Sequence, residues 1–339
     1  MQLQKPLTIL LMLLDPYNRR LNYLRISLTD RCNLRCVYCM PEQGVPKLFH
    51  EDILNYEELL RLARLGVRLG IEKIRLTGGE PLVRKNIVDL IKELREIPGI
   101  RDISLTTNGV LLADQAQALW EAGVKRINIS LDTLNSKKYT DITRFDFFDQ
   151  VWEGIQEAER IGFSPIKINV VALQGINDDE ILSFGRLSYE KPYHIRFIEF
   201  MPIGDDNGWK TERFLSSEEI LIKLQTLGPL SPVNGQGLDG PAKRMAYAGA
   251  RGEIGLISPI SEHFCPSCNR LRLTAEGRLR VCIFSDNETD LRTPMRQGAS
   301  DTELEAVIQE AITQKPKEHP IQLNPLTRKC QRQMSKIGG

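Results

Sequence analysis

From residue 23 to residue 200 the chain alternates short apolar runs with helical patterns, and that alternation admits few folds. The runs are YLRISLT (23–29), KIRLTG (73–78), DISLTTN (102–108), RINISLD (126–132), IKINVVA (166–172) and IRFIEF (195–200). They are rich in Ile, Leu, Val and Thr, as strands of a parallel sheet covered on both faces must be. Between them YEELLRLARLGVRLG, NIVDLIKELREI, DQAQALWEAG and VWEGIQEAERIG repeat apolar residues at helical spacing, and DDEILSFGRLSY does so more weakly. Strand–helix–strand units close through right-handed crossovers. Six of them suit an incomplete parallel (β/α)6 barrel of the TIM type or an open doubly wound sheet. The cysteine loop after residue 29, TGGEP, TTNG, SLDT and EFMP all stand at or just past C-terminal strand ends. Barrel enzymes carry their chemistry at that end, so the α/β incomplete barrel is the expected fold.

After residue 201 the texture changes, and GPLSPVNGQGLDGP (228–241) reads as a linker. The expected division is a core over residues 15–227 and a C-terminal region over 228–339. With 339 residues the chain can bury a sizeable core. A net charge of +1 supplies no global field for nucleic acid or an anionic membrane, so any anion site must come from local Arg and Lys clusters. The longest apolar run, Leu7 to Leu14, is too short to span a bilayer and ends at Asp15-Pro16. It lacks a clear basic start or cleavage site. It is expected to pack on the body as a strand or helix of a cytoplasmic protein.

Seven cysteines fall into two triplets, Cys32/Cys36/Cys39 and Cys265/Cys268/Cys282, with Cys330 alone. An odd, clustered set argues for metal ligation over disulfides. Cys330 reads as an inert thiol. Thiolates suit zinc, copper(I) or iron–sulfur clusters. Spacing alone leaves the first triplet open between a four-iron cluster with one iron lacking a protein ligand and a zinc site closed by a remote residue. The second triplet, C-x2-C-x13-C, has the same two readings, with His263 or Cys330 as the fourth zinc ligand. Arg270 and Arg272 follow it at i and i+2, on one face of a strand.

C-x3-C-x2-C, Tyr38 before its last cysteine and GGEP (78–81) together resemble the radical S-adenosylmethionine superfamily. Adding IRLTGGEPL, EFMPIG, FCPSCNRLRLTAEGRLRVC and the terminal Gly-Gly, the chain from about residue 15 onward resembles the GTP 3′,8-cyclase family of molybdenum-cofactor biosynthesis. The resemblance implies two [4Fe-4S] clusters, on Cys32, Cys36 and Cys39 and on Cys265, Cys268 and Cys282. It implies S-adenosylmethionine at Tyr38, Gly79, Ser130 and Met201. It implies GTP at Arg25, Arg75, Thr106, Lys167 and the stretch Arg270, Leu271, Arg272, with Lys73 and Arg196 as further triphosphate partners. In the family the tail, here Gly338 and Gly339, enters the active site. The implied reaction removes the 3′ hydrogen of GTP and joins C3′ to C8. A low-potential electron donor and the next pathway enzyme, cyclic pyranopterin synthase, are implied partners. The oligomer, monomer or homodimer, is left open.

The residues support an anion site on their own terms. Lys73, Arg75, Lys167 and Arg196 all fall in predicted strands, where unpaired cations are rare. The bland explanation pairs them with Glu72 and Glu199 or lets them snorkel to the rim. No G-x4-G-K-[ST] loop is present, which excludes a conventional GTPase. His50, His194 and His319 lack ligand-like neighbours in sequence and are expected to be structural or on the surface. Two other readings stand: a radical enzyme with an auxiliary cluster acting on a peptide, and a zinc-stabilised binding module.

Overall fold

The computed structural model describes residues 12–204, 208–234, 240–321 and 330–338. All six expected strands are present: β1 (Tyr23–Ser27), β2 (Lys73–Thr77), β3 (Asp102–Thr107), β4 (Ile127–Ser130), β5 (Ile166–Ala172) and β6 (Tyr193–Glu199). The later chain adds β7 (Leu230–Pro232), β8 (Lys243–Tyr247), β9 (Glu253–Ile257), β10 (Arg270–Leu273), β11 (Arg278–Arg280) and β12 (Thr289–Asp290). They form one sheet in the order β12-β11-β10-β1-β2-β3-β4-β5-β6-β9-β8-β7. From β10 through β1–β6 to β9 neighbouring strands are parallel. The outer pairs at either edge are antiparallel.

The C-terminal region therefore supplies both edges of the parallel sheet. The position expected to divide the chain, near residue 228, does not separate two sheets. Residues of β10, β1, β2, β3, β6 and β9 line one cavity, so the sheet is curled, as a partial barrel requires.

Alternation decides which side chains face that cavity. Leu24, Ile26, Ile74, Leu76, Ile103 and Leu105 turn outward into the core beneath the helices. Helix Tyr56–Arg68 buries Leu59, Leu62 and Leu65 there. Its start is fixed by a capping box: the Asn55 side chain accepts the Glu58 N–H, and the Glu58 carboxylate accepts the Asn55 N–H.

Helix Ser136–Thr143, which the periodicity does not reveal, braces the first cysteine loop. Arg35 and Val37 donate their N–H groups to the Thr143 and Ile142 carbonyls at 3.0 and 2.9 Å. Of the N-terminal apolar run, residues 7–11 lie outside the described residues. Leu13 is buried, while Met12 and Leu14 are exposed. Among the described residues no helix is long and apolar enough to cross a membrane.

Candidate active site

The concave face of the sheet encloses a cavity of about 290 Å³. Both cysteine triplets line it. Cys32, Cys36 and Cys39 lie on the loop leaving β1. The Cys39 N–H donates to the Cys36 carbonyl at 2.9 Å, making a tight turn. The Leu34 N–H and Asn108 Nδ2 donate to Cys32 Sγ at 3.4 and 3.7 Å. Burial pushes the Cys32 thiol up to about 11 and that of Cys39 up to about 12. These sulfurs thus become thiolates only with a cation beside them, which an iron cluster supplies. The donor set and its N–H···S bonds fit such a group.

Cys265 and Cys268 flank a short turn, and Cys282 follows β11. Burial alone would raise the Cys268 thiol, but Arg270 and Lys315 outweigh it and bring the group down to about 6. Among the described residues no three His, Cys, Asp or Glu side chains are placed to hold a single metal ion. Cys330 is buried away from the cavity and donates to Asp286 Oδ1 at 3.2 Å.

Gly79, Tyr38, Ser130, Met201 and Thr106 line the cavity. A Cβ on Gly79 would overlap the Arg31 carbonyl and stand 2.8 Å from that of Asp30, so only glycine lets the TGGEP loop meet the cysteine loop. Tyr38 donates its hydroxyl to Asp132 Oδ2 at 2.5 Å. Thr106 Oγ1 is buried with no hydrogen-bond partner among the described residues.

Register builds the cationic wall. Arg272, Arg25 and Arg75 are direct neighbours on β10, β1 and β2, and all three line the cavity with Arg270 and Arg196. Arg25 is lowered to about 10 by burial first, with Tyr23 opposing and Arg75 and Arg270 adding to it. Burial and then the cations Arg25 and Arg270 push Arg272 well below its ordinary value.

Lys73 and Lys167 are buried one step below the cavity and do not line it. Lys73 pairs with Asp102 at 3.4 Å and lies 4.8 Å from the Tyr23 ring centre. Lys167 is held down to about 6 by burial, then by Arg196, Arg75, Arg126 and Lys73. Glu72 and Glu199 are not the counter-ions that the bland explanation needs. Glu72 pairs with Arg20 and Arg101, and Glu199 accepts the N–H groups of Ser217, Ile260 and Ser261.

Leu271 is a correction. Alternation turns its side chain to the opposite face, into the leucine core, so it does not line the cavity. Gly338 is the described member of the terminal pair, and it does not itself line the cavity. Its carbonyl accepts from Arg272 Nη1 at 2.7 Å, and at φ +69° a Cβ there would stand 2.6 Å from Thr77 Oγ1. Gly339 lies outside the described residues. His319 lines the cavity beside the second triplet, with Nε2 2.7 Å from the Pro259 carbonyl.

Residue-by-residue reading missed several partners. Asn108, Glu80 and Asp132 stood inside the strand-end stretches TTNG, GGEP and SLDT, which were their signal. Glu80 ties two of those loops together, accepting from the Thr107 hydroxyl and the Asn108 N–H, each at 2.7 Å. Arg19 and Lys315 carried no signal, because only folding brings them to the second triplet.

A parallel partial barrel with a three-cysteine loop after its first strand and a glycine cradle after its second defines the radical S-adenosylmethionine class. The family model described as Radical SAM superfamily matches residues 26–187, and Molybdenum Cofactor Synthesis C matches residues 193–321. The chain is 51% identical over 325 residues to a GTP 3′,8-cyclase of Moorella thermoacetica, covering 96% of this chain and 99% of that one. It is also 51% identical over 327 residues to the GTP 3′,8-cyclase of Thermodesulfovibrio yellowstonii, with the same coverage. It belongs to the GTP 3′,8-cyclase family. Among solved structures, Streptococcus suis SuiB overlays with a TM-score of 0.58 at 15% identity, covering 88% of this chain and 68% of that one. That likeness speaks for the fold alone.

Proposed function

We propose that the chain converts GTP to (8S)-3′,8-cyclo-7,8-dihydroguanosine 5′-triphosphate, an early step of molybdenum-cofactor biosynthesis, in the cytoplasm. The observation that carries this reading is one cavity faced by two cysteine triplets and a row of arginines, in a chain related over nearly its full length to GTP 3′,8-cyclases. Cys32, Cys36 and Cys39 would hold one four-iron cluster, and Cys265, Cys268 and Cys282 a second. A four-iron cluster held by Cys32, Cys36 and Cys39 would supply the low-potential electron for reductive cleavage of S-adenosylmethionine.

The remaining work belongs to the chain's own residues. Gly79, Tyr38, Ser130 and Met201, all lining the cavity, would hold S-adenosylmethionine. Arg25, Arg75 and Arg196 are the cations for the triphosphate, with Lys167 and Lys73 behind them. Arg270 and Arg272 orient the guanine beside the second triplet, and Thr106 offers its hydroxyl from the wall. C3′ and C8 belong to one molecule, so fixing their approach before the radical forms is the main catalytic contribution. Arg272 also donates to the Gly338 carbonyl, which ties the tail to the cationic wall.

A low-potential electron donor and cyclic pyranopterin synthase complete the expected partners. Anaerobic incubation with GTP deuterated at C3′, S-adenosylmethionine and a reductant tests the reading. Deuterium is expected in 5′-deoxyadenosine. Its absence, with S-adenosylmethionine still cleaved, would reject the cyclase.

A further inference from the structure

Lys315 follows helix Asp301–Thr313, far in sequence from either triplet, yet its side chain is buried against the second. Its ammonium donates to the Val281 carbonyl at 2.5 Å, the Arg270 carbonyl at 3.1 Å and Cys268 Sγ at 3.8 Å. Val281 precedes Cys282, and Arg270 lies two residues past Cys268. One cation therefore ties together both segments that carry the triplet. Arg19 braces the same unit from the other side. It donates to the Cys265 carbonyl at 2.8 Å and to the Pro316 and Lys317 carbonyls at 2.7 and 2.9 Å, which holds the segment bearing Lys315. Among the described residues no carboxylate is paired with Lys315, so its charge is directed at sulfur and carbonyl oxygens.

We propose that Lys315 is a positioning residue for the second cluster, setting the Cys268–Cys282 geometry and raising the cluster's reduction potential with a fixed charge. The inference rests on reading that triplet as a cluster site. A cation and an N–H···S bond favour the reduced form, which carries more negative charge. Burial leaves that attraction poorly screened by salt.

The test uses the full chain with Cys32, Cys36 and Cys39 all replaced by Ala, so that only the second triplet can hold iron. After anaerobic reconstitution this host should bind about four irons, and a redox titration followed by electron paramagnetic resonance reads its midpoint potential. Lys315→Met is expected to move the midpoint to a more negative value, and Lys315→Arg to bring it back towards that of the host. A loaded Lys315→Met protein with an unchanged midpoint overturns the charge role. If Met prevents loading and Arg permits it, the positioning role stands. If both prevent loading, it fails. A host that binds zinc or no iron instead overturns the cluster reading, and the inference falls with it.

Discussion

Replacing Lys167 with Met should change how GTP binding depends on pH. Burial and four neighbouring cations hold the Lys167 ammonium down to about 6, against about 10.4 for an ordinary lysine. At about pH 7.5 only roughly 3% of the ligand-free side chain is charged, and charging it costs about 2 kcal/mol at about 1.36 kcal/mol per pH unit. From behind the cavity wall, one phosphate charge at ~6 Å offers about 3 kcal/mol at an effective dielectric near 20. The attraction exceeds the cost, so binding should draw in most of one proton. Affinity should then fall about tenfold per pH unit above pH 6, until the lysine in the complex itself titrates.

Titration calorimetry in buffers of different ionisation enthalpy counts that proton. The γ-phosphate contributes its own titration equally to wild type and Lys167→Met, so the difference between them isolates the lysine. Equal proton uptake by the two proteins would refute the argument. Without GTP the sign for stability is opposite. Between about pH 6 and 10.4 the unfolded chain binds more protons than the folded one. Wild-type stability therefore rises with pH through that window, and the Met variant should lose the slope.

Three further outcomes are expected. Cys265→Ala should keep reductive cleavage of S-adenosylmethionine but lose the cyclised product, read by chromatography of both products. Gly79→Ala should lose S-adenosylmethionine binding and about 1–3 kcal/mol of stability, because its Cβ collides with rigid backbone; calorimetry and thermal unfolding check the two effects. Burial raises Glu80 to about 7, so the folded state binds the extra proton and stability falls as pH rises from about 4.3 to about 7. Glu80→Gln should flatten that part of an unfolding series.

Much of the fold was legible because strand and helix periods are local properties. The six runs from YLRISLT to IRFIEF became β1–β6, and strand-end stretches such as TGGEP and TTNG reached the cavity. The cysteine triplets were equally readable, since ligand spacing is written along the chain. Helix Ser136–Thr143 was not readable, because its support for the cysteine loop comes from contacts rather than periodicity.

Register and burial were decided only by tertiary structure. Arg25, Arg75 and Arg272 become neighbours because β10 pairs in parallel with β1, a strand nearly the whole chain away. The same pairing turned Leu271 outward, where a residue-type match had placed it with the substrate. Lys315 reaches Cys268 for the same reason: a long-range contact has no local signature. By itself the sequence determined the strand–helix alternation, the ligand types and the family. The curl of the sheet brought both triplets and the cations to one cavity, because parallel pairing sets side chains from distant segments in rows on a single face.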